Sequence, residues 1–365
     1  MKNKTILLLL LIVIIFLFIS YDNTINGLHN KFINKIEEKK LNTHLLNNIK
    51  SGNLSTDYTI DQALYDIENL NLNTINIPVV INIDNLYTNT FSIDESSKQR
   101  AIELLKILNN KKFNDMKIST ILEPYPWISN GSEYETNYNP TDINTFFLNW
   151  KNNVLKILID QIAIPYEVDA LNVGTSFNNI ESAEGYWCDT IDFVKQYYKG
   201  LITYRTSWWI TAEWDKKTLN NYEKKLNNKL FSKLDFISIA AYFELTNNDT
   251  NTVENLVSSL ESTQIYDRKQ NVIKELKNFY DKPIFFGELG FPKTTKASIH
   301  PWNPFESTIL NGTEQANCFE AYKLTFENEP WILGFSIFAI GENSTDKMYY
   351  PSIESVEVIK NWYKN

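Results

Sequence analysis

The chain has 365 residues, of which 43% are hydrophobic and 22% charged, so it can bury a large core and is not a disordered polymer. Its 35 Lys and Arg against 44 Asp and Glu give a net charge of −9, which lacks the positive field that attracts nucleic acid. Two cysteines and three histidines are too few for a multi-thiolate zinc site or a histidine-based catalytic metal, so we expect catalysis by carboxylates, with no metal and no cofactor.

The N-terminus has the charge and hydropathy pattern of an export signal. Lys2 and Lys4 precede an apolar run over residues 6–19, and no A-x-A-like cleavage site or lipid-accepting cysteine follows. We therefore expect residues 1–21 to form an uncleaved signal-anchor helix. A cleaved signal peptide is the alternative, because the run is short for a membrane span. Residues 22–47 are predicted to be a stalk, which leaves the remainder extracytoplasmic and anchored to the membrane, or secreted after cleavage.

From residue 48 the chain alternates β-rich runs with amphipathic helical patterns. Strands are predicted at 49–54, 74–83, 116–123, 168–175, 201–209, 234–243, 282–290 and 331–340. Helices are predicted at 61–70, 98–110, 143–161, 185–200, 270–280, 314–328 and 353–363. This order predicts a single α/β domain over 48–365, a (β/α)8 TIM barrel. An open doubly wound sheet is the competitor, but the chain lacks the glycine motifs that bind phosphate in that class.

In such a barrel the functional residues lie where the strands end, at the carboxyl face. Glu288 is the most informative candidate, because it ends the apolar strand PIFFGEL and a carboxylate there is costly to bury unless it is paired or hydrogen-bonded. A structural ion pair is one explanation of this residue and a catalytic carboxylate is the other. The remaining candidates at predicted strand ends are Glu123, Ser176, Trp208, Glu213, Tyr242, Glu244 and Phe338.

Several segments together resemble glycoside hydrolase family 113, the β-mannanase-type (β/α)8 barrels of the retaining glycosidase clan A. They are LDFISIAAYFELT, KPIFFGELGF followed by HPWNPF, and QANCFEAYKLTFENEPWILGF, and the resemblance extends over roughly residues 48–364. It implies a glycosidase that hydrolyses O-glycosyl bonds of a β-linked, mannan-like polysaccharide or oligosaccharide, as an endo-β-1,4-mannanase does.

The resemblance also implies roles for individual residues. Glu288 matches the nucleophile, which attacks the anomeric carbon while a second carboxyl acts first as acid and then as base. Tyr242 matches a tyrosine that orients the nucleophile by a hydrogen bond. The substrate-binding candidates are Trp208 and Trp302, which match aromatic positions suited to stacking on sugars, together with Glu123, Phe338 and Glu213.

The chain departs from the family pattern at the end of the fourth predicted strand. The sequence there is VGTSF, which puts Ser176 at the position of the acid/base glutamate. A serine hydroxyl cannot replace a carboxylic acid that protonates a departing sugar oxygen. Ser207, Ala240, Glu123 and Phe338 differ from the expected residues as well. A neighbouring loop could supply another carboxyl, with Glu181, Glu184 and Glu213 as the candidates.

Three functions are compatible with these observations. The first is an active glycosidase with a relocated acid, and the second is a catalytically inactive carbohydrate-binding barrel of the cell surface. The third is a surface structural protein anchored by its N-terminus. Both carbohydrate hypotheses require Glu288 to face an open cleft, and would fail if it were packed beneath the barrel or tied to an arginine out of reach of solvent.

Overall fold

Eight parallel strands close into a barrel in the computed structural model, which describes residues 48–279 and 282–364. The predicted signal anchor (1–21) and stalk (22–47) lie outside the described residues. The barrel closes because β1 (Ile49–Leu54) pairs with β2 (Thr74–Ile83) on one side and with β9 (Ile332–Ile340) on the other. A short β3 (Ser92–Ile93) pairs antiparallel with β2. The barrel strands are β1 (Ile49–Leu54), β2 (Thr74–Ile83), β4 (Ser119–Ile128), β5 (Ala170–Thr175), β6 (Leu201–Ser207), β7 (Ile237–Ala240), β8 (Ile284–Leu289) and β9 (Ile332–Ile340). The predicted (β/α)8 barrel is confirmed.

Helices connect consecutive barrel strands, and several begin at a side chain that caps the first turn, such as Thr59, Asp94 and Asp142. They are α1 (Ile60–Asn69), α2 (Glu95–Asn110), α3 (Ile143–Asn149), α4 (Asn178–Glu181), α5 (Glu184–Tyr197), α6 (Lys216–Leu226), α7 (Val253–Glu261), α8 (Val272–Lys277), α9 (Gly312–Phe326) and α10 (Ile353–Tyr363). Helix α3 continues through two π-helical segments, Trp150–Leu155 and Ile159–Ala163, separated by Lys156–Leu158. Within the described part of the chain, no helix has the length and apolar character needed to cross a membrane.

The sequence analysis did not predict helices α6 and α7. Helix α6 has no fully buried residue, and only three of its residues, Leu219, Tyr222 and Leu226, are apolar. Helix α7 is short and buries Leu256, Ser259 and Leu260. Both are held by their place between consecutive strands of the barrel, which local sequence patterns do not report.

Side chains along each strand alternate between the barrel interior and the layer beneath the helices. In β2, Ile75, Ile77 and Ile81 belong to the apolar core shared with the helices, whereas Asn76 donates across the barrel to the Gly287 carbonyl. The barrel interior is therefore polar, and its polar side chains lead up to the carboxyl face.

Strand β4 extends five residues beyond its predicted end and finishes at Ile128. Glu123 consequently lies in the middle of a strand paired along its whole length with β2, and not at the start of a loop. This register corrects the expected position of Glu123 and moves it into the interior of the barrel.

Candidate active site

A cavity of about 520 Å³ opens at the carboxyl ends of the barrel strands, a volume typical of small-molecule sites. Six of the eight residues predicted for the site line this cavity: Glu288, Tyr242, Ser176, Trp208, Trp302 and Phe338. Their strands are neighbours in the barrel, so parallel pairing alone brings their carboxyl ends together.

A β-bulge in β8 turns Glu288 towards the cavity. Between Phe286 and Leu289, β8 contains one residue more than the facing stretch of β9, and its register with β7 shifts in the same place. Bulges of this kind redirect the following side chain. Gly287 lies at the bulge, where a Cβ atom would stand only 1.9 Å from Ser238 Oγ, so a larger residue would have to move the Ser238 side chain.

The Gly287 carbonyl is a convergence point for polar side chains from across the barrel. It accepts hydrogen bonds from Asn53 Nδ2, from Asn76 Nδ2 at 3.2 Å and from Arg205 Nη1 at 3.4 Å. These donors come from β1, β2 and β6, so three strands fix the peptide that precedes Glu288. The position of the carboxylate is thus set by rigid strands and not by a loop.

The Glu288 carboxylate contacts one phenol and one guanidinium. Tyr242 donates its hydroxyl proton to Glu288 Oε1 at 2.9 Å, as the resemblance implied. Burial, followed by the nearby negative charge of Glu288, raises the pKa of Tyr242 well above its ordinary value, so the phenol stays a donor. On the other side, Arg205 Nε lies 3.2 Å from Glu288 Oε2. The sequence analysis did not identify Arg205.

Arg205 also forms a bidentate ion pair with Glu123 beneath the cavity. Its Nη1 donates to Glu123 Oε2 at 2.8 Å and its Nη2 donates to Glu123 Oε1. Burial raises the pKa of Glu123 and Arg205 opposes that rise, and the bidentate contact favours the charged pair. Burial alone would lower the pKa of Arg205, but the carboxylates of Glu123 and Glu288 raise it above its ordinary value. Glu123 is only 3% exposed and does not line the cavity, which corrects its predicted role in substrate binding.

The arginine does not withdraw Glu288 from the cavity. One guanidinium stands between two carboxylates, and both of its terminal nitrogens are engaged by Glu123, so only Nε reaches Glu288. The network keeps one formal negative charge, and Glu288 remains part of the cavity wall with 8% of its surface exposed. The carboxylate that faces the cavity is therefore oriented but accessible.

Aromatic side chains form the cavity walls. The indoles of Trp208 and Trp302 are nearly parallel, with ring centroids 6.5 Å apart and an angle of 19°. Tyr242 packs edge-on against Trp208 on one side and against Phe338 and Tyr349 on the other. These flat faces flank the carboxylate, and such surfaces suit the apolar faces of sugar rings.

Two serines lie on the same face of the cavity. Ser176, at the end of β5, has a φ of 50° and its N–H donates to the Arg205 carbonyl at 2.8 Å. The Ser207 hydroxyl is buried in the cavity wall and has no hydrogen-bond partner within the described residues. Both positions leave space and hydrogen-bonding capacity for a ligand.

The carboxyls predicted as alternative acids lie elsewhere. Glu181 forms an ion pair with Lys225 and accepts a hydrogen bond from Thr206. Glu184 pairs with Lys229 at 3.5 Å. Glu213 is exposed in the loop beyond β6 and does not line the cavity, which corrects its predicted role as a substrate-binding residue.

One cavity-lining carboxyl was missed. Glu135 lies in a 3-10 turn, Glu135–Asn137, between β4 and α3, and it borders the cavity with Glu288. The surrounding sequence, GSEYETNY, is a polar loop that gives no local signal of a buried site. Tyr125 and Tyr349 were likewise not predicted, although both line the cavity.

Comparisons with known proteins agree with this geometry. The family model described as Glycoside Hydrolase Family 113 matches residues 47–349. A solved GH113 β-1,4-mannanase is 20% identical, with a TM-score of 0.65 over 87% of this chain and 99% of that one. The GH113 β-mannanase AaManA from Alicyclobacillus acidocaldarius, in complex with ManMIm, is 14% identical with a TM-score of 0.66, over 87% and 97% of the two chains.

More distant barrels share the fold as well. A β-D-glucuronidase from Dictyoglomus thermophilum is 12% identical with a TM-score of 0.53, and 87% of this chain matches 51% of that one. No curated protein matches the chain. The match to the family model extends over most of the barrel and includes β8, which carries Glu288, and the segment after β7 that carries Tyr242. The chain therefore belongs to Glycoside Hydrolase Family 113.

Proposed function

We propose that this protein is a retaining glycoside hydrolase that uses Glu288 as its nucleophile. The observation that carries the proposal is the Glu288 carboxylate itself, which faces an aromatic-walled cavity while Tyr242 donates to Oε1 at 2.9 Å. In this mechanism the Glu288 carboxylate attacks the anomeric carbon and forms a covalent glycosyl ester, which water then hydrolyses.

The cavity suits a chain of sugars better than a single ring. A second hollow of about 230 Å³ adjoins the first and shares Tyr125, Phe338 and Tyr349 with it. The shared aromatic residues place the two hollows side by side at the barrel mouth. Two adjacent hollows support an oligosaccharide or polysaccharide as the substrate, with stacking on Trp208 and Trp302 in the larger one.

The substrate class follows from the relatives. Three structures that match this chain over nearly their whole length are described as β-mannanases, two of them as β-1,4-mannanase. We therefore propose β-1,4-linked mannose polymers or oligomers as the substrate. We propose that the polar groups of this cavity differ from the family pattern at two positions in the wall, Ser207 and Ala240.

Ser176 is the reason for keeping a second candidate function. We place it at the acid/base position of the family, where its hydroxyl cannot protonate a sugar oxygen as a carboxylic acid does. Without any other acid, the barrel would bind carbohydrate without cleaving it. Glu288 and Tyr242 would then only hydrogen-bond sugar hydroxyls.

The deciding experiment compares the full chain with its Glu288→Gln variant on mannobiose, mannan and an activated aryl β-mannoside. We expect turnover by the natural chain, a covalent adduct on Glu288 with an activated fluorosugar, and neither result with Glu288→Gln. Glu213→Gln is the matched control, because that carboxylate is exposed outside the cavity. Saturable binding of manno-oligosaccharides with no turnover of any substrate would favour the non-catalytic barrel.

We further propose that the protein is exported and held at the membrane by residues 1–21. Support comes from the sequence alone, where Lys2 and Lys4 precede the apolar run over 6–19. Fractionation of expressing cells and N-terminal sequencing of the product test this. A mature N-terminus beyond residue 21 would instead indicate secretion after cleavage.

A further inference from the structure

Glu135 is the second carboxyl of the cavity. Among the side chains that line it within the described part of the chain, only Glu135 and Glu288 carry a carboxyl group. Glu135 is half-buried, so part of its side chain stays open to the cavity. Unlike Glu181 and Glu184, it forms no ion pair with any cation of the described residues.

The loop that carries Glu135 is fixed next to Ser176. Asn179, three residues after Ser176, donates its side-chain amide to the Thr136 carbonyl at 3.4 Å and to the Tyr138 carbonyl at 3.2 Å. Tyr138 is fully buried, and its ring packs against Phe177 with centroids 5.6 Å apart. The turn of Glu135 therefore lies against the segment that follows β5. This is the side of the cavity where Ser176, which has no carboxyl group, occupies the proposed acid position.

The surroundings keep a proton on Glu135 near neutral pH. Burial raises its pKa from 4.5 to about 7; its own backbone amide and Arg205 oppose the rise, while Glu288 and Glu123 add to it. The other titratable groups lining the cavity around it are phenols, namely Tyr125 on β4, Tyr134 beside it, Tyr242 just after β7 and Tyr349 after β9. A carboxyl with a pKa near the working pH is suited to both giving and taking a proton.

We propose that Glu135 is the acid/base residue of this enzyme, in place of the carboxyl missing at Ser176. The inference rests on the proposed glycosidase function. In the first step Glu288 bonds to the anomeric carbon, the glycosidic C–O bond breaks with its electron pair on oxygen, and that oxygen takes the proton of Glu135. In the second step the Glu135 carboxylate takes a proton from water, the water oxygen bonds to the anomeric carbon, and the ester electron pair returns to Glu288.

The test compares Glu135→Gln with Glu133→Gln in the full chain. Glu133 belongs to the same loop and is also half-buried but does not line the cavity, so it controls for changes in the loop. On mannobiose, which has a poor leaving group, we expect Glu135→Gln to lose roughly 10²- to 10⁴-fold in kcat/KM. On a dinitrophenyl β-mannoside, whose leaving group needs no proton, we expect little change in kcat/KM and accumulation of the adduct on Glu288.

Two further measurements distinguish a proton-transfer role from a structural one. The natural chain should lose kcat/KM on mannobiose above about pH 7, where Glu135 is deprotonated, and this limb should vanish in Glu135→Gln. Azide should restore turnover of the dinitrophenyl substrate by Glu135→Ala and give a β-mannosyl azide, because azide attacks without losing a proton.

The outcomes separate the two proposals. If the natural chain cleaves mannobiose, Glu288→Gln is inactive and Glu135→Gln behaves like Glu133→Gln, then the role of Glu135 is overturned and the nucleophile assignment stands. If the natural chain cleaves neither substrate, the glycosidase function fails and the role of Glu135 fails with it. Equal losses on both substrates would assign Glu135 to substrate binding.

Discussion

Replacing Arg205 by methionine tests the charge network beneath the cavity. Arg205 and Glu123 are 2% and 3% exposed, so the variant leaves the Glu123 carboxylate buried with no cation. Thr175 Oγ1, at 3.3 Å, then remains as its hydrogen-bond donor. Removing one partner of a buried pair costs about 3–5 kcal/mol, and we expect a loss of that size in the free energy of unfolding at pH 8. Activity should fall too, because Glu288 loses its contact with Arg205.

The stability deficit of Arg205→Met should depend on pH, and the shift in the pKa of Glu123 gives its direction. Burial raises the pKa of Glu123, and without Arg205 only the side-chain hydrogen bonds of Asn172 and Thr175 oppose the rise. The folded-state pKa of Glu123 then lies above its unfolded value, so stability is present at low pH and lost as the pH rises through the folded pKa. The deficit of Arg205→Met relative to the natural chain should therefore be larger at pH 8 than at pH 5.

Urea unfolding of the full chain, followed by tryptophan fluorescence, measures these differences. The double variant Arg205→Met/Glu123→Gln removes both charges and should recover at least half of the lost free energy, since neutral replacements of buried pairs are often tolerated. A deficit of Arg205→Met below about 1 kcal/mol at pH 8 would refute the reasoning. So would an equal deficit at pH 5 and pH 8, or no recovery in the double variant.

Three more outcomes are expected. Tyr242→Phe removes the 2.9 Å hydrogen bond to Glu288, a contact worth about 1.5–3 kcal/mol. The kcat/KM on an aryl β-mannoside should therefore fall roughly 10- to 100-fold, and an unchanged kcat/KM would contradict the orienting role. Trp302→Ala should weaken oligosaccharide binding in calorimetry by about 1 kcal/mol, whereas Trp214→Ala, which changes an indole 67% exposed outside the cavity, should not. The pKa of Glu135 rises from 4.5 to about 7 on folding, so its contribution to stability falls as the pH rises through that window. Between pH 4 and pH 8 the free energy of unfolding of Glu135→Gln should therefore gain about 1–2 kcal/mol relative to the natural chain. A difference in urea unfolding that stays constant with pH would contradict this.

The sequence determined the barrel because its strands are apolar runs separated by amphipathic helices. The predicted bounds of β1 and β2 agree with the structure, since both strands are bordered by polar residues and buried along most of their length. The prediction ended β4 too early because proline and aromatic residues follow Glu123, and only pairing with β2 keeps them in the strand. Glu288 and Tyr242 were identified because each follows an apolar run at the carboxyl face.

Only the tertiary structure decided how the charges are arranged. Arg205 and Glu123 are 82 positions apart, and their ion pair depends on the register of three neighbouring strands. The inward turn of Glu288 depends on an extra residue in β8, and the nearness of Glu135 to the cavity depends on Asn179 from helix α4. A local pattern reports which side chains are apolar and at what period. Electrostatic interactions depend on which distant residues meet in space, and closure of the barrel fixes that.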